Sequence, residues 1–473
     1  MDFNQIRNNI VGQNLDINGM PVVYTDWTAS GRLYAPIEDY MTRVIGPWVA
    51  NTHTESSDTG RAMTTLYHDA REAIKNHVNA NGGDVLICTG TGMTGAVNKL
   101  QRIMGLKAVP LDESVLRPLV IITHLEHHSN QTSWHACHVD LEIIRRAPTG
   151  LPDLNHLEEI LQNNQHRPLT IGSFSACSNV TGIKTPIHQM AALMHKYGGL
   201  CFADYAASAP YVDIDMHPVS ELERLDAVLF SPHKFLGGPG SCGVLIFKSD
   251  LYQLEVPDQP GGGTVTWTNP WGGHKYFDDI EVREDGGTPG FLQTIRAALA
   301  IKLKESMTTS SIHDKEFQLT QTMFEKLSVV DNLNLLEPDV NDRLPIFSFW
   351  IDQLHHNLVV RLLNDKFGIQ SRGGCSCAGT YGHILLGVDQ QTSETITCEI
   401  DHGDLTHKPG WIRVSLHPTM TVQDILYIAE AIVQVAKQGT EWQNEYDFDS
   451  TSGEWSHKTG ARVFGPKFSD LIL

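Results

Sequence analysis

The chain has 473 residues, 41% hydrophobic and 19% charged, as suits a folded protein with a large core and room for two or three domains. Fifty-five acidic and 35 basic side chains give a formal charge of −20, which argues against general nucleic-acid binding, because that needs clustered positive charge. The N-terminal MDFNQIRNNIVGQNLDINGM has no apolar run of signal-peptide type and no later stretch reaches membrane-spanning length, so the expected location is the cytoplasm, with no membrane partner.

From residue 84 to 247, seven short apolar runs recur between turn residues: DVLIC, PLVIIT, LEIIRR, LTIGSF, LCFAD, DAVLFS and CGVLIF. Each has strand length and is mostly apolar on both sides, as expected of a sheet covered on both faces. Helix-like stretches lie between several of them. TPIHQMAALMHKYGG opens on Thr185 as a candidate N-cap, with Pro186 in the first turn, and closes on Gly198 and Gly199. Strand, helix and strand in series predict a mainly parallel α/β sheet. Beyond residue 260, PGGGTVTWTNPWGGHKYFDDIEVREDGGTPG reads as loops and hairpins, and FLQTIRAALAIKLKESM as a helix. From about residue 312 a smaller α+β unit is expected. It has a helix, a strand at LPIFSFWI, a helix at HHNLVVRLLNDKFG, a strand at WIRVSL and a helix at TVQDILYIAEAIVQVAKQG. The expected division is a large domain over 25–305 and a small one from 306–473 with the segment 1–24.

Several strand ends carry chemistry. Lys234 follows DAVLFS in a Ser231-Pro232-His233-Lys234 run before a Gly-rich loop. A lysine there is either a surface residue before a turn or an amine poised for a Schiff base, given burial or neighbouring cations. Asp204 ends LCFAD, thirty residues earlier. Ligands gather at the carboxyl ends of strands in doubly wound sheets. A lysine and a carboxylate at two such ends are what pyridoxal 5'-phosphate requires: one for its aldehyde, one to keep its pyridine nitrogen protonated. Gly90, Gly92 and Gly95, with Thr91 and Thr94, stand between the first strand and a helix and fit a backbone-amide cradle for phosphate. No GK[ST] closes that turn, and no convincing ribose acid follows it. His124, His127, His128, His135 and His138 follow PLVIIT. They read as metal ligands, as solvated or core histidines, or as one imidazole stacked on a cofactor ring.

EHHSN, SNVTG, FADYAASAP and SPHKFLGGPGSCGVLIF occur in the order and at about the spacing of class V, fold-type I pyridoxal-phosphate enzymes. The chain resembles the cysteine desulfurase and selenocysteine lyase branch, from YTDWTASGRLY near residue 24 to about residue 438. The resemblance implies a fold-type I large domain with a seven-stranded, mainly parallel sheet, and an α+β C-terminal domain. It implies Lys234 as the cofactor lysine and proton shuttle, Asp204 as the pyridinium partner and His127 as the ring-stacking imidazole. Asn179 then lies near the ring hydroxyl, and Gly92, Met93, Thr94, Ser231 and His233 hold the phosphate. Thr288 matches a threonine that reaches the other subunit's phosphate, which implies a homodimer with shared sites. Arg413 matches the arginine that grips the substrate carboxylate, a role suited to a bidentate guanidinium, and Arg372 is placed with it. Two positions depart from the family pattern: Ala207 stands where a Gln often bonds the ring hydroxyl, and Gly95 where the phosphate turn often has Glu.

The eight cysteines, at 88, 137, 177, 201, 242, 375, 377 and 398, are scattered, and none forms a CxxC pair. They are expected to be mostly reduced, with no structural metal. In SRGGCSCAGTYGH, Cys377 stands five residues after Arg372, the spacing at which desulfurases carry their nucleophile. That role needs an exposed, mobile, partly ionised thiol, and Gly373, Gly374 and Gly379 are expected to supply the mobility. In an extended segment Cys375 would face the same side as Cys377, as a bystander or a second sulfur carrier; two buried small residues at a strand start is the other reading. A long loop over 378–410 follows. The expected activity removes sulfur or selenium from L-cysteine or selenocysteine through a persulfide on Cys377, leaving L-alanine, with a sulfur-acceptor protein as partner. Another class V reaction, such as transamination, epimerisation or C–S or C–N lysis, keeps the cofactor and changes the substrate. A non-catalytic metal- or partner-binding protein built on the histidines and the cysteine pair is the third reading.

Overall fold

The computed structural model describes residues 2–17, 19–52, 54–90, 92–108, 115–460 and 465–470. They form two compact units: Met1–Val11, Trp27–Lys315 and Asp339–Leu344 in the first, and Gly12–Asp26, Glu316–Pro338 and Pro345–Leu473 in the second. The first eleven residues fall in the larger unit rather than the smaller. There the Val11 amide donates to the Leu33 carbonyl at 2.9 Å and Ile10 bridges to Tyr34.

The larger unit is built on β1 (Asp84–Thr89), β2 (Leu119–Thr123), β3 (Asp140–Ile144), β4 (Thr170–Ser175), β5 (Leu200–Asp204), β6 (Ala227–Phe230) and β7 (Gly243–Lys248). These are the seven apolar runs. They lie in the order β1-β7-β6-β5-β4-β2-β3, with β7 antiparallel to both neighbours and every other pairing parallel. Alternate residues feed opposite faces. Leu86, Leu119, Ile121 and Val228 join one core with Ile74 of helix α1 (Asp58–His77). Val85, Ile87, Val120 and Ile122 pack instead with Val97 and Leu100 of α2 (Gly92–Ile103). Further along the chain come α3 (His128–His135), α4 (Leu154–Asn163), α5 (Ile187–Lys196) and α6 (Phe291–Met307).

One expected cap is corrected. Pro186, not Thr185, is the N-cap of α5, because the Thr185 hydroxyl donates to the Ser175 carbonyl at 2.7 Å and is spent on the sheet.

The smaller unit holds an antiparallel sheet of β8 (Leu333–Leu335), β9 (Ile346–Ile351), β10 (Arg372–Gly374) and β11 (Trp411–Ser415), in the order β8-β9-β11-β10. Its core joins Phe347, Phe349, Ile412 and Val414 to Leu358 and Leu362 of α7 (His356–Phe367). The segment expected to be a loop over 378–410 contains two helices, α8 (Gly379–Leu385) and α9 (Gln390–Asp401). No residue of α9 is buried, so it lacks the continuous apolar stripe that betrays a helix in sequence. Asp389 caps it by accepting from the Thr392 amide at 2.8 Å. The long α10 (Val422–Trp442) also packs its Ile425, Ile428 and Ile432 into the core, and starts with a capping box of Thr421 and Asp424. Among the described residues, no helix is long and apolar enough to cross a membrane.

Candidate active site

In the larger unit, β5 and β6 are parallel neighbours, so their carboxyl ends lie side by side. Asp204 ends β5, and a single 3-10 turn, Pro232–Lys234, follows β6. Asp204 is 5% exposed. Burial pushes its carboxyl up to about 7, against the Ala206 amide that donates to it at 2.8 Å and the nearby positive charge of Lys234. The carboxylate of Glu126 adds to the rise. A buried acid this reluctant to ionise alone is a strong partner for a cation brought beside it.

Ser231 closes β6 and accepts from the Met93 amide at 2.8 Å, in the first turn of α2. Gly92 opens that turn with φ +60°, and a Cβ on it would stand 2.9 Å from Ser231 Oγ. Only glycine allows so close an approach in that conformation. A helix N-terminus with hydroxyls beside it has the chemistry that can hold an anion. Thr94 and Ser129 share a hydroxyl hydrogen bond of 2.7 Å. Beside them His233 is held neutral, pushed down to about 4 by burial and by Lys234. Gly31 braces the lysine turn: its amide donates to the His233 carbonyl at 2.9 Å, and a Cβ there would lie 2.0 Å from the Phe235 carbonyl oxygen.

His127 is the N-cap of α3, its Nδ1 accepting from the Ser129 amide at 3.1 Å. The preceding Glu126 is 1% exposed and gathers donors from three elements. The hydroxyls of Thr123 and Ser175 each donate to it at 2.6 Å, and the Asn130 amide at 2.7 Å. Burial raises its pKa, and those bonds oppose the rise.

In the smaller unit, Arg413 sits in the middle of β11, 3% exposed, opposite Arg372 of β10. Both guanidiniums converge on Asp26. Arg413 Nη2 donates to Oδ1 at 2.7 Å, and Arg372 Nε donates to Oδ2 at 3.0 Å. Burial lowers the pKa of Arg413, and Asp26 opposes that shift. Past β10 the chain reverses through Cys375–Ala378, whose ends are joined by the Ala378 amide donating to the Cys375 carbonyl at 3.0 Å. Ser376 and Cys377 both lie in the left-handed region, at φ +49° and +57°. Ser376 is buried and its hydroxyl accepts from Trp411 Nε1 at 3.2 Å. Cys377 is exposed, Cys375 is half-buried and both thiols are free.

The Aminotransferase class-V family model matches residues 23–428. The chain belongs to that family. A probable cysteine desulfurase of Staphylococcus aureus (strain Mu50) is 26% identical over 385 residues, spanning 80% of this chain and 88% of its own. A probable cysteine desulfurase of Halalkalibacterium halodurans is 26% identical over 386 residues, spanning 80% and 89%. Among solved structures, the apo cysteine desulfurase of Thermococcus onnurineus NA1 shares the fold with TM-score 0.74 and 21% identity, over 92% of this chain and 98% of that one. A cysteine desulfurase of Escherichia coli in its S-sulfonic acid form gives 0.71 and 21%, over 92% and 99%.

Within this class-V enzyme, Lys234, Asp204, His127, Thr94, Gly92, Met93, Ser231 and His233 all belong to the larger unit. Asn179 is buried in the turn after β4, and Ala207 is buried as well. Thr288 is exposed. Thr91 lies outside the described residues. Among the described residues, no three His, Cys, Asp or Glu side chains group as a metal ion requires. The cysteine segment is corrected: it is a turn, not an extended run, so strand alternation does not set where the thiols face.

Sequence reading overlooked Asp26, Glu126 as a hydrogen-bonding hub, Gly31 and the Ser376–Trp411 bond. Asp26 did leave a signal, as the one acid in PVVYTDWTASG. Its partners lie more than 340 residues away, out of reach of any local pattern.

Proposed function

We propose that this class-V enzyme binds pyridoxal 5'-phosphate and is a cysteine desulfurase, taking sulfur from L-cysteine and releasing L-alanine. The same chemistry accepts selenocysteine. The donor set fits the cofactor: a cradle of helix amides and hydroxyls for its phosphate, an amine for its aldehyde and a buried carboxyl for its ring nitrogen. When bound, pyridoxal phosphate supplies an electron sink for the bonds of the substrate's α-carbon. Lys234 would hold the aldehyde, and its amine would carry the substrate's α-proton. Asp204 would pair with the ring nitrogen and keep it protonated. His127 would lie against the ring, Asn179 would serve the ring hydroxyl, and Ser231, His233, Thr94, Gly92 and Met93 would bind phosphate. Arg413, with Arg372, receives the substrate carboxylate in place of Asp26. Cys377 would attack the substrate sulfur, forming a sulfur–sulfur bond as the carbon–sulfur bond breaks. The electron pair stays with the carbon, which is protonated to give L-alanine, and Cys377 would carry the sulfur as a persulfide.

The observation that carries the sulfur-transfer reading is an exposed, free cysteine on a left-handed turn that follows β10, the strand of Arg372. A homodimer in which Thr288 serves the other subunit's phosphate, a sulfur-acceptor protein and a cytoplasmic location belong to the same proposal. The test is alanine and hydrosulfide release from L-cysteine by cofactor-loaded protein. Cys377→Ala is expected to lose it. Undiminished release by that variant would defeat the persulfide role. The buried Ala207 offers no polar group to the ring hydroxyl, which favours testing other amino acids for keto-acid formation in the same assay.

A further inference from the structure

We propose that Cys375 discharges the sulfur held by Cys377, so that the Cys-Ser-Cys turn releases hydrosulfide and closes to an internal disulfide. The inference rests on the desulfurase reading above. Three observations support it. Both cysteines line one cavity of about 320 Å³, in the company of Arg372, His356 and Lys408. The turn between them is fixed, by the Ala378-to-Cys375 backbone bond and by Ser376 anchored to Trp411. Ser376, the single residue between them, has a left-handed φ of +49°, so the pair sits on a turn and not on an extended run. Strain held in non-glycine residues marks a turn kept for its geometry.

The step balances without an outside oxidant. The Cys375 sulfur attacks the Cys377 sulfur of the persulfide. A bond forms between the two Sγ atoms, and the bond from Cys377 Sγ to the terminal sulfur breaks. The electron pair leaves on the terminal sulfur, which takes the Cys375 thiol proton and departs as hydrosulfide. Arg372 and Lys408 stabilise the anions on either side of the exchange. His356 in the same cavity stays neutral, held at about 3 by burial, by His355 and by Lys408, so it neither competes for the proton nor adds charge. A further turnover requires a dithiol reductant, and a strained disulfide in so short a ring is readily reduced.

The test uses full-length, cofactor-loaded protein with L-cysteine and no reductant, followed by intact mass and cysteine mapping. A parallel arm loads Cys377 with inorganic polysulfide. Wild type is expected to release one hydrosulfide per chain and end with a Cys375–Cys377 disulfide. Cys375→Ser is expected to keep the extra sulfur on Cys377 and to release about tenfold less hydrosulfide, having lost a neighbouring nucleophile. Cys375→Ala repeats the comparison should the serine disturb the turn. A wild-type protein that keeps its persulfide, forms no internal disulfide and releases hydrosulfide no faster than the variants overturns the inference. Should L-cysteine yield neither alanine nor persulfide in any form, the desulfurase reading fails. The polysulfide arm still decides on Cys375: a disulfide in wild type alone upholds the discharge step, and its absence refutes it.

Discussion

Arg413 and Asp26 form an ion pair at 2.7 Å in which the arginine is 3% exposed and the aspartate 14%. The same carboxylate holds Arg372 through its other oxygen. A carboxylate already rests where the proposed substrate would bring its own. Removing it takes the ion-pair carboxylate from a buried guanidinium, and breaking a buried pair from one side costs about 3–5 kcal/mol. Asp26→Ala is therefore expected to lower unfolding stability by about 3 kcal/mol, measured by urea titration. A small carboxylate such as acetate should restore part of the loss, whereas Asp26→Glu should lose much less. A variant as stable as wild type would show that water replaces the carboxylate.

Asp204 gives the cofactor-free protein a pH signature. Its carboxyl rises from 3.8 to about 7 on folding, so between those values the folded state binds more protons than the unfolded one. Stability from this group is full below pH 3.8 and falls as pH rises toward 7. A shift of that size corresponds to something on the order of 4 kcal/mol. Asp204→Asn should flatten this part of the profile, so the variant gains on wild type as pH rises from about 4 to 7. Thermal melts across that range test it. Identical slopes for the two proteins would mean the carboxyl is already ionised at low pH.

Lys234→Ala is expected to abolish covalent cofactor attachment and to reduce turnover roughly 10²–10⁴-fold, the usual share of a lost proton-transfer group. Borohydride reduction of loaded wild type should fix the cofactor to Lys234 in a peptide map. A label found on another lysine would move the site.

Glu126 accepts from Thr123, Ser175 and Asn130 at once. In Glu126→Gln an NH₂ faces groups that already donate, so at least one buried donor goes unmet at about 1–3 kcal/mol. The variant should melt lower. Its His127, one residue along, should lose its fixed orientation, which would show as a fall in kcat greater than any change in KM. A wild-type kcat in the destabilised variant would confine Glu126 to stability.

Cys377 lies at φ +57° and is exposed. A left-handed non-glycine residue carries roughly 1–2 kcal/mol of strain, so Cys377→Gly is expected to stabilise the protein by about 1 kcal/mol while ending sulfur transfer. Ser376→Gly removes similar strain but leaves the buried Trp411 N–H without its acceptor, which outweighs the relief. That variant should be less stable than wild type, and the two melts together measure the balance.

The seven strands, α6, α7 and α10 were legible because burial on a fixed face leaves a period in the residues themselves. Lys234 and Asp204 were legible too, because each stands directly at the end of such a run. Local signals failed where the deciding contact is remote or the burial slight. Thr185 carried a capping residue's chemistry, yet the Ser175 carbonyl claimed its hydroxyl. The segment over 378–410 hid α9 because no side chain of that helix is buried.

By itself the sequence determined which groups are available: a strand-end amine, a strand-end acid, a glycine turn before a helix, two arginines and a pair of cysteines. Tertiary structure decided their state. Burial made Asp204 hard to ionise and His233 neutral, and the return of the chain to β11 gave Arg413 and Arg372 one shared carboxylate. The fold placed both cysteines on the lining of one cavity. Charge, protonation and reach depend on neighbours in space, and those neighbours come from anywhere along the 473 residues.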